Sequence, residues 1–307
     1  MYKQLKEKLK KIPGLGTFLV KTRRFSREAG DALINIVYYA KANLGRQDKL
    51  LINDETHQYL AVRGLFSLFR ETLDIIAANG RKDIEIDYRH TLYNESANQN
   101  MWEYYFYPVN NEIKRKYMYY AAKRPYKDVF SCDKPRQLAL FNKIIRDRIK
   151  IKETLTDKAD FFWNKYLKGT KVIGIHYRGT DIHVTIDVYK DILKQPVIAE
   201  IFSEVDRLLL SGYEAIYLAT DEEKTLRSFK ERYGHKLISY ETERSSDGKA
   251  LHFVTKKKRQ QGEDVIIEVL ILSKCHFFLY GCSNVATVVK YMNPEIPSRN
   301  MSLIKQP

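Results

Sequence analysis

Long apolar runs, paired cysteines and glycine-rich nucleotide signatures are what this chain of 307 residues lacks. No window approaches the roughly 18 to 20 uninterrupted apolar residues of a membrane-spanning helix, so no such span is expected. Cys132, Cys275 and Cys282 form no CxxC pair and no even framework. That argues against structural zinc and suits free thiols in a reducing compartment. The amino terminus is lysine-rich without an apolar core and a small-residue cleavage site, so it does not read as a secretory signal. The expectation is a chain that stays in the cytoplasm, with peripheral contact to the inner face of the cell membrane left open. No GxGxxG follows any strand, which counts against a nicotinamide or flavin dinucleotide. Zinc-finger spacing, a basic zipper, an RNA-recognition signature, internal repeats and low-complexity tracts are also absent.

What the chain has is charge. Its 53 Lys and Arg against 38 Asp and Glu leave a formal +15, while 44% hydrophobic residues are enough for a globular core. Uncompensated charge repels itself and attracts polyanions. Nucleic acid, anionic lipid and a phosphorylated substrate are the candidate partners. The charge lies in four patches: 3–27, 114–124, 136–152 and Lys256-Lys-Lys-Arg259. With no nucleic-acid signature beside them, nucleic acid is the least favoured of the three, and a phosphorylated ligand at Arg178 is the working hypothesis. A basic nucleic-acid-binding α/β protein is kept as the alternative from another class.

Length allows one large or two ordinary domains, and the pattern favours two. Residues 1–25 read as a basic amphipathic segment: Tyr2, Leu5, Leu9 and Ile12 recur at helical spacing among lysines, and Pro13-Gly14 ends the helix. Residues 1–20 can lie on an anionic membrane or pack as a solvated helix. Residues 26–160 read as an α/β domain. They comprise a glycine turn and helix over 29–43, strands at Leu50–Ile52 and Ile84–Ile86 flanking a helix over 58–78, and a basic helix at 111–122. The aromatics Trp102, Tyr104, Tyr105, Phe106 and Tyr107 suit either a carbohydrate groove or ordinary packing. Residues 161–307 alternate strand and helix: strands at 171–177, 214–219, 236–240 and 276–280, helices at 189–210, 222–232, 263–273 and 284–292. That rhythm predicts right-handed crossovers and a parallel doubly wound sheet. Residues 241–261 read as a long loop, a candidate lid.

Three predicted strands in this half end in polar residues: His176, Arg178 and Asp181; Asp221 after Thr220; and Ser283-Asn284 after Gly281-Cys282. Open α/β sheets bind ligands at such carboxyl ends. Arg178 offers a fixed charge in a planar fork that suits phosphate. The Ser283-Asn284 helix start offers free N–H groups and a positive dipole end. Each residue also has a plain structural reading: Asp221 as a helix cap, Ser283 or Asn284 as another, and Arg178 as the ion-pair partner of Asp181.

Gly174-Ile-His-Tyr-Arg-Gly-Thr-Asp181, Ile216–Asp221 and Val265–Asn284 resemble, in order and approximate spacing, three peptide motifs of the α1,6-fucosyltransferase and nodulation-fucosyltransferase superfamily. The resemblance covers residues 170–292. It implies a GT-B fold, two Rossmann-like domains facing a cleft, and metal-independent, inverting transfer from a nucleotide sugar, usually GDP-fucose. It implies no cofactor beyond that donor. By the same resemblance Arg178 binds the donor β-phosphate and supports departure of the leaving group. His176 and Glu268 help hold the nucleotide, Asp221 closes the second motif, Ser283 and Asn284 meet the diphosphate, and Asp181 orients the loop. The chain departs from the α1,6 pattern at Gly179, where a second arginine is expected, and at Ile182, where a lysine is. The base proposed in those enzymes falls near Ile186, which makes Asp187 the candidate base, with Asp31 and His183 in reserve. The functional expectation is a transferase acting on a bacterial surface or capsular glycan, with the acceptor carried on lipid. Another GDP-sugar, such as a GDP-heptose, is the alternative donor.

Overall fold

The computed structural model describes residues 49–53, 63–79, 83–96, 98–109, 135–180 and 194–303. The expected helices at 1–12, 29–43 and 111–122, together with Asp31, Cys132, Asp181, His183 and Asp187, lie outside the described residues. The first described elements are β1 (Lys49–Asn53), α1 (Leu65–Asn79) and β2 (Asp83–Asp87), with β1 and β2 paired in parallel. The short α2 (Trp102–Tyr105) follows, then α3 (Pro135–Arg148) and α4 (Glu153–Tyr166). The aromatic run around α2 is core: Trp102, Tyr105 and Phe106 are at most 2% exposed. Phe69 of α1 stacks on Trp102 and Phe106 at centroid distances of 5.9 and 5.3 Å. Packing therefore takes these rings, and Tyr107, at 38%, is the exposed member. Most of the stretch expected only as a basic patch at 136–152 forms α3, which turns Leu138, Phe141, Ile144 and Ile145 inward and leaves Arg136, Lys143 and Arg146 exposed. Helix α4 runs unbroken across residues 160 and 161.

From there the chain alternates β3 (Val172–Tyr177), α5 (Ile198–Leu210), β4 (Ala215–Thr220), α6 (Glu223–Tyr233), β5 (Leu237–Ile238), α7 (Leu251–Val254), α8 (Lys258–Leu272), β6 (Phe277–Tyr280), α9 (Asn284–Met292) and β7 (Ser298–Asn300). The five strands form one parallel sheet in the order β5-β4-β3-β6-β7. Every residue of β3 and β4 is buried, as a sheet covered on both faces requires. One face packs Ile173, Ile175, Ile216 and Leu218 against α5 and α6. The other packs Val172, Tyr217 and Phe278 against α8, α9 and the aromatic core of the amino half. Gly174 lies on this second face, where a Cβ would come within 2.8 Å of Cys275 Sγ and 3.2 Å of Leu272 Cδ2. Cys275 and Cys282 are buried free thiols.

Three expectations shift. Helix α5 starts at Ile198, after a non-helical stretch over 194–197 that contains Pro196. Helix α8 starts at Lys258, so the basic run enters a helix and the 241–261 segment is shorter as a loop. That segment is also pinned: Ser245 is buried, donates its N–H to Asp221 O at 2.8 Å and accepts from Glu223 N at 2.9 Å. Strand β7 was not anticipated, because Ser298-Arg-Asn300 has no apolar run to mark it. No described helix is long and apolar enough to cross a membrane.

Candidate active site

Sheet order sets the site. From β3 the chain proceeds outward through β4 and β5, then returns to the other side of β3 with β6 and β7. The crossovers thus diverge between β3 and β6, and the carboxyl ends of those two strands flank the crevice in which such sheets bind ligands. His176, last but one in β3, pairs with Tyr280 of β6. Its Nδ1 lies 3.3 Å from Ser283 Oγ across the crevice. Burial and the neighbouring Arg178 guanidinium hold the imidazole near a pKa of about 3, so it is neutral. Ser283 caps α9, its Oγ accepting from Ala286 N at 3.0 Å. The turn before it is buttressed by the chain just past β7: Cys282 N donates to Ser302 Oγ at 3.0 Å. A Cβ on Gly281 would meet Pro196 Cγ at 3.0 Å and Ser302 Oγ at 3.1 Å, which explains the glycine. The cap reading and the ligand reading of Ser283 are compatible, because one hydroxyl satisfies only one of the N–H groups that a helix start leaves without an intrahelical partner.

The loop after β3 is held from two sides. Asp221, just past β4, accepts from Gly179 N at 2.8 Å and from Thr180 Oγ1 at 2.6 Å. Gln195 Nε2 donates to Arg178 O at 3.1 Å and to Tyr177 Oη at 3.1 Å. Asp221 is therefore not the cap of α6; Glu222 occupies that position and its carboxylate takes the Thr225 hydroxyl instead. Gly179 has a steric reason: a Cβ there would approach Glu222 Oε2 to 2.7 Å and Glu222 Cβ to 3.0 Å. A second arginine at this position must displace Glu222. Arg178 itself is half-buried at the mouth of the crevice.

Behind His176, on the α8 side of the sheet, lies a polar cluster. Glu268 Oε1, Tyr217 Oη and Arg244 Nε are shielded from solvent, and none has a hydrogen-bond partner among the described residues. Burial pushes the Glu268 carboxyl up to about 8, with Arg244 opposing and Asp264 and Asp221 adding to the rise. Burial also raises the Tyr217 phenol well above its ordinary value, with Glu268 reinforcing it. Arg244 is fixed through Nη2 to Tyr240 O at 2.7 Å and Nη1 to Thr242 O at 3.2 Å. Orphaned buried polar atoms are costly, and the electrostatic coupling of these three groups marks the cluster as a candidate place for a ligand with its own donors and acceptors.

His176, Arg178, Asp221, Ser283 and Asn284 thus gather at one sheet edge, with Glu268 close enough to Asp221 to feel its charge. Asp181 and Asp187 lie outside the described residues. Sequence reasoning missed Gln195, Arg244 and Arg70. Arg70 sits in α1, and its Nη1 donates to Asn284 Oδ1 at 2.7 Å. It had a signal: a lone cation on the apolar stripe that includes Phe66, Phe69 and Leu73.

The fold is of the α/β GT-B type, with a five-stranded parallel sheet flanked by helices on both faces. Among solved structures it is similar to NodZ α1,6-fucosyltransferase soaked with GDP-fucose, at a TM-score of 0.50 and 13% identity over 81% of this chain and 94% of that one. The same enzyme co-crystallised with GDP matches at 0.50 and 14% identity, covering 83% and 94%. Its selenomethionine form, from Bradyrhizobium, matches at 0.50 and 13% identity with the same coverage. At this identity the likeness is one of fold. No family model matches the chain, and no curated protein matches it in sequence.

Proposed function

We propose that this chain is an inverting, metal-independent glycosyltransferase that transfers fucose from GDP-fucose to a glycan acceptor. The observation that carries the reading is the His176–Ser283 contact across the β3–β6 crevice, which brings the Arg178 loop and the α9 helix start to one point. An acceptor hydroxyl attacks the anomeric carbon, the bond from that carbon to the diphosphate oxygen breaks, and the electron pair leaves on GDP. Arg178 and the α9 N–H groups stabilise the charge that develops there, with preorganised donors doing the work a metal ion would otherwise do. The hydroxyl proton passes to a general base, for which the Asp187 carboxylate is the candidate and the Asp31 carboxylate and the His183 imidazole are the reserves. Asp221 acts as a positioning residue by gripping Gly179 and Thr180, and in this reading Asp181, next in sequence, helps to orient Arg178. The Glu268, Tyr217 and Arg244 cluster supplies the hydrogen-bonding edge for the base, with neutral His176 beside the diphosphate turn.

The acceptor class in this reading is a bacterial surface or capsular glycan carried on lipid, reached by a chain that works in the cytoplasm at the membrane. Arg178→Ala is expected to lower transfer by about 100- to 1,000-fold with the fold intact. Wild-type turnover in that variant, measured as GDP release with acceptor present, would remove Arg178 from the mechanism. If GDP-heptose proves the better donor in the same assay, the donor assignment changes and the site does not.

A further inference from the structure

Arg70 is a buried cation that forms no ion pair among the described residues, Asp74 one turn along α1 included. It is 5% exposed in a helix face that otherwise carries Phe66, Phe69 and Leu73. Its side chain makes one hydrogen bond among the described residues, from Nη1 to Asn284 Oδ1 at 2.7 Å, while Nε is shielded without a partner and no carboxylate pairs with it. Burying an unpaired charge is unfavourable. The placement adds a second penalty, because Asn284 opens α9 and the positive end of that helix faces the guanidinium. A neutral side chain such as glutamine would tether Asn284 equally well. An anion at the start of α9 relieves both the unpaired charge and its repulsion from the helix end.

We propose that Arg70 is a second guanidinium for the donor diphosphate, supplied by the amino half of the chain to the turn already served by Arg178. This rests on the reading of the β6–α9 turn as the diphosphate site. The bond to Asn284 holds the fork in place before the ligand arrives, so little side-chain entropy is lost on binding. It also explains why an aromatic-packed helix keeps an arginine on its inner face, where α1 and α9 belong to one hydrophobic cluster. Diphosphate binding then becomes sensitive to how the amino half packs on the sheet domain.

The test is calorimetric titration of wild type, Arg70→Met, Arg70→Gln and Arg70→Lys with GDP, inorganic pyrophosphate and guanosine. Charge-assisted hydrogen bonds of this kind correspond to about 10- to 100-fold in affinity. Met and Gln variants are expected to lose that factor for GDP and pyrophosphate, Lys to keep most of it, and guanosine binding to stay unchanged in all of them. The unliganded Met variant is expected to melt no lower than wild type. Wild-type GDP affinity in the Gln variant overturns the proposal. So does a parallel loss for GDP and guanosine with a lowered melting temperature, which marks Arg70 as a structural tether. If wild type binds neither GDP nor pyrophosphate, the donor-site reading itself falls, and that outcome is distinct from a wild type that binds GDP and is indifferent to Arg70.

Discussion

Glu268 and His176 are perturbed in opposite senses by the same cause, loss of solvent. Glu268 is pushed up to about 8, so between the ordinary carboxylate value of about 4.3 and that point the folded state holds a proton that the unfolded state has released. Stability therefore falls as pH rises through this window and levels off above it. His176 is held down at about 3, so the unfolded state takes up a proton below about 6.5 that the folded state refuses, and stability falls as pH drops from there. Between about 6.5 and 8 the Glu268 slope is unopposed by His176. Denaturant titrations across that range are expected to show a decline of up to about 2 kcal/mol that Glu268→Gln removes; a slope that survives the substitution belongs to another group. If the ionised carboxylate accepts hydrogen bonds from the base, GDP affinity of the wild type rises over the same range. None of this was legible from residue types. Glutamate at 268 was identifiable only through the motif, and its environment comes from Tyr217 and Arg244, which are distant in sequence.

At the scale of elements, the loop after β3 depends on the residue that follows β4. Asp221→Ala removes both acceptors of that loop, so the Gly179 amide is expected to lose protection in hydrogen exchange while the amides of β3 keep theirs. Transfer activity should fall with it; unchanged Gly179 protection would mean that Gln195 alone orders the loop. Gly174 is a different case, since a side chain there runs into Cys275 and Leu272. Gly174→Val is expected to cost about 1–3 kcal/mol by overpacking, read as a lower denaturant midpoint with an unchanged slope. The strands were legible because β3 and β4 are buried on both faces and so read as unbroken apolar runs. Their ends were legible because polarity begins where burial stops. The edge strand β7 was not, and the start of α8 was obscured by four consecutive cations that suggest a loop. Of the capping readings, the one at Ser283 holds and the one at Asp221 does not: Asp221 serves a neighbouring loop because parallel pairing puts Thr220 beside Tyr177.

For the whole molecule, a ligand that binds only the folded state raises its stability by about 2.7 kcal/mol at a hundredfold excess over Kd. GDP is expected to raise the melting temperature selectively over UDP, CMP and ADP, and the shift should survive EDTA; loss of the shift in EDTA would bring a metal into donor binding. The +15 charge has its own test, because nucleic-acid binding falls linearly in log affinity with log salt and is indifferent to GDP. The sequence by itself determined that this half of the chain alternates buried strands with helices, that three strands end in phosphate-compatible chemistry, and that no dinucleotide glycine motif accompanies them. Those are local properties, carried by periodicity and by the abrupt change of polarity at a strand end. Only the tertiary structure decided the strand order that opens the crevice between β3 and β6, the crowding of Gly179 by Glu222, and the meeting of Arg70 with Asn284, 214 residues away. Such pairings depend on side-chain packing between distant segments, which the local pattern of neither segment encodes.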